Sequence, residues 1–358
     1  MTGEFVYEAN PMRVRFGAGS LSALADELDH LGLRRVLVLC SPSQQNTAER
    51  VAALLGDRCV GTRSDAVMHV PADLAARASA EAVSLGADGC VTVGGGSAIG
   101  LGKAIALEHH LPVVAVPTTY AGSEMTPVWG MTRDGHKETG RDTAVLPRSV
   151  IYDPDLTMGL PVGLSVTSGI NAVAHAVEAL YAPDISPIIA LMAEDGVRAL
   201  ASALPAIAQD PSDPQGRSDA LRGAWLCGAT LGATTMSLHH KLCHALGGTL
   251  NLPHAPTHTV VLPHVLAFNQ SHTPEAVAAL SRALPGTADP ARRLWDLCRA
   301  LDAPRSLAEL GMQESEIDRI AEEATNRSYG NPRPVTREAV TAILRAAWSG
   351  DRPTESEQ

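Results

Sequence analysis

The sequence predicts an α/β nucleotide-binding N-terminal domain with a mostly parallel sheet over 1–158, followed by an all-helical C-terminal domain over 159–358. Three observations carry this expectation. Short Val- and Leu-rich runs alternate with Ala-rich helical stretches in the first half, a triple glycine follows one of those runs, and no strand pattern recurs after Pro154 and Leu160-Pro161. At 358 residues, of which 45% are hydrophobic, the chain is long for one core and sufficient for two.

In the first half, buried strands are expected over 34–40, 89–94 and 111–117, with a helix over 43–54, an Ala-rich helix before 89 and another between 94 and 110. Strands separated by helices pair in parallel, and their ligand belongs beyond the carboxyl ends of the strands. From 126 to 137 the pattern becomes a strand entering an Asp134-Gly135 turn, a hairpin signal in which the glycine accepts positive φ. A strand over 149–153 then closes the sheet. Helices follow over 164–182, 185–208, 216–246, 254–268, 272–283, 288–301, 313–325 and 337–348. The run 327–334 is turn-rich, from which Tyr329 or Arg333 reaching a cleft is weighed against a plain tight turn, and the tail from 350 is polar.

Composition excludes several classes. A net charge of −11 argues against nucleic acid as a partner. No basic region followed by an apolar run opens the chain, and no apolar stretch is long enough to span a membrane, so a cytoplasmic location is expected. The six cysteines show no CxxC pairing, which fits reduced thiols. Lysine occurs only at 103, 137 and 241.

Two stretches carry chemistry in the helical half. His240 and His244 stand four apart and share a helix face, with His239 pointing elsewhere; Gly247-Gly248 is expected to end that helix, and Pro253 to open a new one with His254 in its first turn. Asn171 and His175 form a second i, i+4 pair on an otherwise Ala/Val/Leu helix. Polar groups buried on apolar helices need partners. His175, His240 and His254 with Asn171 therefore make a four-point cluster suited to a divalent metal or to catalysis, and the bland alternative is a set of core histidines bonded to one another and to Asn171. A carboxamide is a poorer ligand than a carboxylate, since it offsets none of a cation's charge.

In the other half Gly94, Gly95, Gly96 and Ser97 follow a strand and open a helix. Free amides and the helix dipole there favour a phosphate, although the pattern is neither the usual dinucleotide fingerprint nor a P-loop. Thr118 and Thr119 end the next strand on the same edge, placed for the sugar or nicotinamide part of such a ligand. With the glycine loop in one half and the histidines in the other, the reaction is expected in the cleft between them.

Taken together, 15–19, 94–97, 117–119, 122–124, 152–154, 171–178, 240–254 and 331–333 resemble the iron-containing, or group III, alcohol dehydrogenase superfamily over nearly the whole chain, and its maleylacetate-reducing branch most of all. The resemblance implies a metal site at Asn171, His175, His240 and His254, with Asn171 standing where the superfamily has Asp, and places His244 near the reacting carbon. That replacement resembles the branch in which catalysis is regarded as metal-independent, so no essential metal is expected. It also implies a pyrophosphate loop at Gly94, Gly95, Gly96 and Ser97 and nicotinamide-side contacts from Thr118 and Thr119. Ser41 occupies the neighbourhood where an acidic residue favours NAD, so NADH and NADPH are both expected cofactors. The implied reaction reduces a small dicarboxylate, maleylacetate, to 3-oxoadipate in aromatic-compound degradation, and Lys241, Arg133, His136 and Arg333 are the candidate carboxylate partners. A homodimer is compatible with this reading. A metal-dependent alcohol or aldehyde oxidoreductase and a non-enzymatic nucleotide-binding protein are the alternatives.

Overall fold

The computed structural model describes residues 5, 7, 9, 10, 13–133, 136–284, 286, 289–326 and 328–354, with the side chain of Lys137 excepted. The chain divides into two compact units, Asn10–Leu160 and Pro161–Gln358, with the described residues Phe5, Tyr7 and Ala9 grouping with the second.

The first unit holds β1 (Arg13–Phe16), α1 (Leu24–Leu31), β2 (Val36–Cys40), α2 (Gln45–Leu55), β3 (Cys59–Arg63), α3 (Ala72–Ser84), β4 (Gly89–Gly94), α4 (Gly96–His109), β5 (Val113–Pro117), β6 (Val128–Arg133), β7 (His136–Arg141) and β8 (Ser149–Tyr152). Six strands form one parallel sheet in the order β1-β8-β5-β4-β2-β3. Every residue of β2, β4, β5 and β8 is buried. The physical reason is that both faces are covered, which removes the need for polar alternation. Leu24, Leu28, Val51 and Leu55 of α1 and α2 pack on one face; Leu74, Ala78, Leu101 and Ile105 of α3 and α4 pack on the other.

The sheet differs from expectation at its margins. β8 lies inside it, between β1 and β5, and β1 closes that edge. β1 is held by charge: buried Glu27 of α1 accepts from Arg13 Nε and Arg15 Nε, each at 2.8 Å, and from Ser149 Oγ on β8, also at 2.8 Å. β3, at the other edge, is only half-buried and contains Gly61 and Thr62, so it carries no apolar run. β6 and β7 form the expected antiparallel hairpin, and its turn, Asp134-Gly135, lies outside the described residues.

The second unit contains α5 (Val162–Leu180), α6 (Pro187–Gln209), α7 (Pro214–Ala233), α8 (Leu238–Leu250), α9 (His254–Asn269), α10 (Pro274–Ala283), α11 (Pro290–Ala300), α12 (Ile317–Thr325) and α13 (Arg337–Ser349), and no strand among its described residues. α5 is buried continuously from Ser165 to Leu180, as an all-round apolar helix at the centre of a helical domain must be. The single helix expected over 216–246 is two, broken between Ala233 and Leu238. α8 also runs through Gly247-Gly248 to Leu250, and Asn251, with φ 53°, supplies the left-handed C-cap instead. Buried Gly247 and neighbouring Gly248 are tolerated within the helix because tertiary packing outweighs their weak propensity. Among the described residues no helix is long and apolar enough to cross a membrane.

Candidate active site

The parallel order makes β2, β4 and β5 neighbours, so their carboxyl ends present Ser41, the glycine loop and Thr118-Thr119 along one edge. Gly94 has φ +142° and opens the loop in a conformation that L side chains rarely adopt. A Cβ on Gly95 would meet Thr119 Oγ1 at 2.8 Å, so this glycine is what lets the β5 end close on the loop. Gly96, the first residue of α4, faces open space, and no side chain caps that helix N-terminus. Thr118 Oγ1 is buried without a hydrogen-bond partner. An uncapped N-terminus, an open cradle and an orphaned hydroxyl on one edge fit the pyrophosphate of a dinucleotide. Ser41 lies half-buried at the end of β2, 3.1 Å by its Oγ from Ser43 Oγ, with no carboxylate beside it in 40–43. Gly96→Val is therefore expected to fold normally yet weaken NADH binding about tenfold or more, as read by fluorescence titration of the folded variant; unchanged affinity would remove the loop from the site.

In the helical unit, α5, α8 and α9 carry the histidines singled out in the sequence. Asn171, His175 and His240 are 2%, 3% and 5% exposed, while His244 and His254 are half-buried. The rings of His175 and His240 lie 5.2 Å apart, and His244 stands edge-on to His240 at 6.2 Å. His254 joins through a ring outside the expected set: His258, one turn further along α9, lies 4.3 Å from His254 and 5.0 Å from His240. His239 does not point away. Its ring is 5.3 Å from that of His240, and its Nε2 shares a 2.9 Å hydrogen bond with His258 Nδ1. The pairing i, i+4 of His254 and His258 is a readable signal for the missing member.

Glu178 on α5 organises this cluster, although the sequence alone gives it no role beyond membership of a motif. It is fully buried, and its carboxylate accepts from Ser237 N at 3.0 Å, His239 N at 2.7 Å and His240 Nδ1 at 2.7 Å. α8 has no side-chain cap from its own Ser237, so a carboxylate from another helix fills that place. Because a carboxylate only accepts, His240 carries its proton on Nδ1, and Nε2, buried without a hydrogen-bond partner, faces the other way. Burial pushes the Glu178 carboxyl up, but the bond from His240, the neighbouring histidines and the Ser237 amide outweigh it and hold it below the usual range. Burial first, then the surrounding imidazoles, drives His175 and His258 well below 6.5, and His239 to about 3, so these three rings are neutral near pH 7.

The expected carboxylate partners are dispersed. Lys241 is exposed on α8 beside His240. Arg333 stacks its guanidinium 4.5 Å from the Phe268 ring centre and donates to Phe268 O at 3.3 Å, while Asn331 and Asn269 exchange amide hydrogen bonds of 2.8 and 3.2 Å, and Asn331 Nδ2 donates to Arg333 O at 2.7 Å. Tyr329 is half-buried, its phenol pushed up to about 12 by burial and by the Glu178 charge. Arg133 and His136 belong to the hairpin of the α/β unit, both exposed, with Arg133 3.4 Å from Glu138.

The N-terminal residues 11–154 match the iron-containing alcohol dehydrogenase family, and 165–348 match the C-terminal part of the Fe-containing alcohol dehydrogenase family. The maleylacetate reductase of Burkholderia cepacia is 54% identical over 350 residues, covering 98% of this chain and 99% of that protein. The chain belongs to the iron-containing alcohol dehydrogenase family, in its maleylacetate reductase branch. Crystal structures agree: maleylacetate reductase from Agrobacterium tumefaciens superposes with a TM-score of 0.94 at 48% identity, over 98% of this chain and all of that one. Maleylacetate reductase from Rhizobium sp. strain MTP-10005 gives 0.93 at 49%, over 99% of this chain and all of that one.

The family name implies iron, and the donor set fits a firmly held iron poorly. Three imidazoles and the Asn171 amide offer no anionic ligand, and the nearby Glu178 carboxylate is already committed to two backbone amides and His240 Nδ1. Nδ1 of His175 and Nε2 of His240 are buried without hydrogen-bond partners, so neutral ring nitrogens remain there to meet a cation or a ligand oxygen. His239, Cys243 and His258 also bring ligand atoms within 4.8 Å of one another, but the 2.9 Å bond between the two rings accounts for that grouping.

Proposed function

We propose that this chain reduces the carbon-carbon double bond of maleylacetate to give 3-oxoadipate, using NADH or NADPH, without a resident metal. The observation that carries the metal-free reading is the buried His175–His240 pair with Asn171, rather than a carboxylate, one turn before His175. A nicotinamide cofactor, when bound, would supply hydride chemistry for the alkene carbon β to the ketone. Gly94, Gly95, Gly96 and Ser97 would hold its pyrophosphate, and Thr118 and Thr119 its nicotinamide side.

The substrate oxygen then becomes an enolate, and the chain's own donors must meet it. Neutral imidazoles such as His175 stabilise an oxyanion by N–H donation but are weak acids, so the proton delivered to the carbon α to the ketone falls to another ring. His244 suits that proton transfer, because it lies against His240 and is half-buried, where it can be reprotonated from solvent. His175, whose neutral ring keeps one N–H, suits the oxyanion, whereas His240 has committed its Nδ1 proton to Glu178 and presents an accepting Nε2 that orients the neighbouring groups. Two substrate carboxylates call for cations, with Lys241 first, then Arg133, His136 and Arg333.

The test is maleylacetate-dependent oxidation of NADH and NADPH, run in parallel on extensively chelated protein, with His244→Gln followed through a single turnover. Full activity after chelation is expected, and the variant should lose about tenfold to a hundredfold at the chemical step while keeping NADH affinity. Activity lost on chelation and restored by iron or zinc would overturn the metal-free reading, and turnover of simple alcohols in place of maleylacetate would favour a metal-dependent alcohol oxidoreductase.

A further inference from the structure

Lys103 is one of three lysines in the chain, and it is 1% exposed in the interior of α4. A buried ammonium survives only where its protons are taken up. Its Nζ faces four acceptors: Ser123 O at 2.7 Å, Thr126 O at 2.8 Å, Thr126 Oγ1 at 2.9 Å and Val128 O at 2.7 Å. The carboxylate of buried Glu124 acts on it only through its field and forms no ion pair with it; Glu124 Oε1 instead accepts from Tyr152 OH at 2.7 Å.

All of those acceptors lie on one segment, 123–128, which continues from Thr118 and Thr119. The segment is packed tightly, with Glu124, Met125 and Thr126, and Tyr120 just before it, at 2% exposure or less. Thr126 Oγ1 also donates to Ser123 O at 3.1 Å and accepts from Val128 N at 3.3 Å. Lys103 stands seven residues after Gly96 on the same helix, about 10 Å along its axis. A closed circuit results. The glycine loop opens α4, Gly95 admits Thr119 at one end of the following segment, and Lys103 fastens the other end back onto α4.

We propose that Lys103 is a positioning residue for the cofactor, fixing the 118–128 segment against the glycine loop so that the nicotinamide half of the dinucleotide is held in register with its pyrophosphate. The inference rests on the assignment of Gly94–Gly96 and Thr118-Thr119 to the cofactor. A lysine serving the fold alone would affect every ligand of this unit equally. A positioning lysine affects the nicotinamide half selectively.

The experiment compares NADH with ADP, which keeps the pyrophosphate and lacks the nicotinamide half, on folded Lys103→Met, Lys103→Arg and Thr126→Val. Lys103→Met is expected to weaken NADH about tenfold or more while leaving ADP within about twofold; Lys103→Arg should recover part of the loss, and Thr126→Val, which removes one acceptor, should weaken NADH about threefold. Equal losses for NADH and ADP, or NADH affinity unchanged in Lys103→Met, would overturn the inference. Where Lys103→Met fails to fold, Thr126→Val decides: selective loss of NADH supports the role, and no change overturns it. A wild-type chain that binds neither nucleotide would overturn the cofactor assignment itself, and this inference with it.

Discussion

Glu178→Gln should cost turnover about two to three orders of magnitude while leaving NADH affinity intact, because it removes the charge behind His240 and its single oxygen cannot serve all three donors that the carboxylate accepts. An amide N–H then faces one of those donors, so the head of α8 and the His240 ring are held less firmly, and Nε2 no longer presents the same face. Glu178→Ala goes further. It strands Ser237 N, His239 N and His240 Nδ1 together. At about 1–3 kcal/mol for each buried group left without a partner, it should lower stability by several kcal/mol. Nitrogen-detected NMR of the His240 ring gives the tautomer, and denaturant melts give the stability. A Glu178→Gln enzyme with wild-type turnover and an unchanged His240 tautomer would reject the role.

Asn171→Asp is expected to turn the cluster into a metal site, tightening Zn2+ or Fe2+ binding by about a hundredfold, or roughly 2.7 kcal/mol. The substitution supplies the anionic ligand that Asn171 withholds, one turn before His175 and beside the His175–His240 pair, which His258 links to His254. The added charge should also slow maleylacetate reduction, since it repels a dianionic substrate where the wild-type amide does not. Competition with a chromogenic chelator measures the affinity directly. Affinity equal to that of the wild type would show that Asn171 is not what keeps the site from holding metal.

The interior of the parallel sheet is readable in the sequence because β2, β4 and β5 are continuous apolar runs, and the glycine loop because a triple glycine between strand and helix has few other uses. The sheet's edges are harder. β1 is fastened by Arg13 and Arg15 onto Glu27, contacts invisible to periodicity, and β3 is too polar to stand out. In the helical unit the i, i+4 pairs locate Asn171, His175, His240 and His244, but they hide the break between α7 and α8. Thr234 and Thr235 are weak breakers alone. What stops one helix and starts the next includes Glu178 at the head of α8 and Asp184, which accepts from Thr235 N at 3.0 Å. His239 escapes a reading by helical facing, which says where a side chain leaves its own helix, and not that α9 brings His258 to meet it.

The cap supplied by Glu178 bears on the order in which the molecule assembles. The residues it joins to α8 lie 59 to 62 positions away in the chain, and α8 has no side-chain cap of its own. A short helix without local nucleation is marginal in water, and closing a loop of that length must precede the contact that rewards it. The geometry of His239 and His240 is therefore set by a long-range event, the docking of α5 against α8, so that the histidine cluster is among the last features of the helical unit to become fixed as the chain folds.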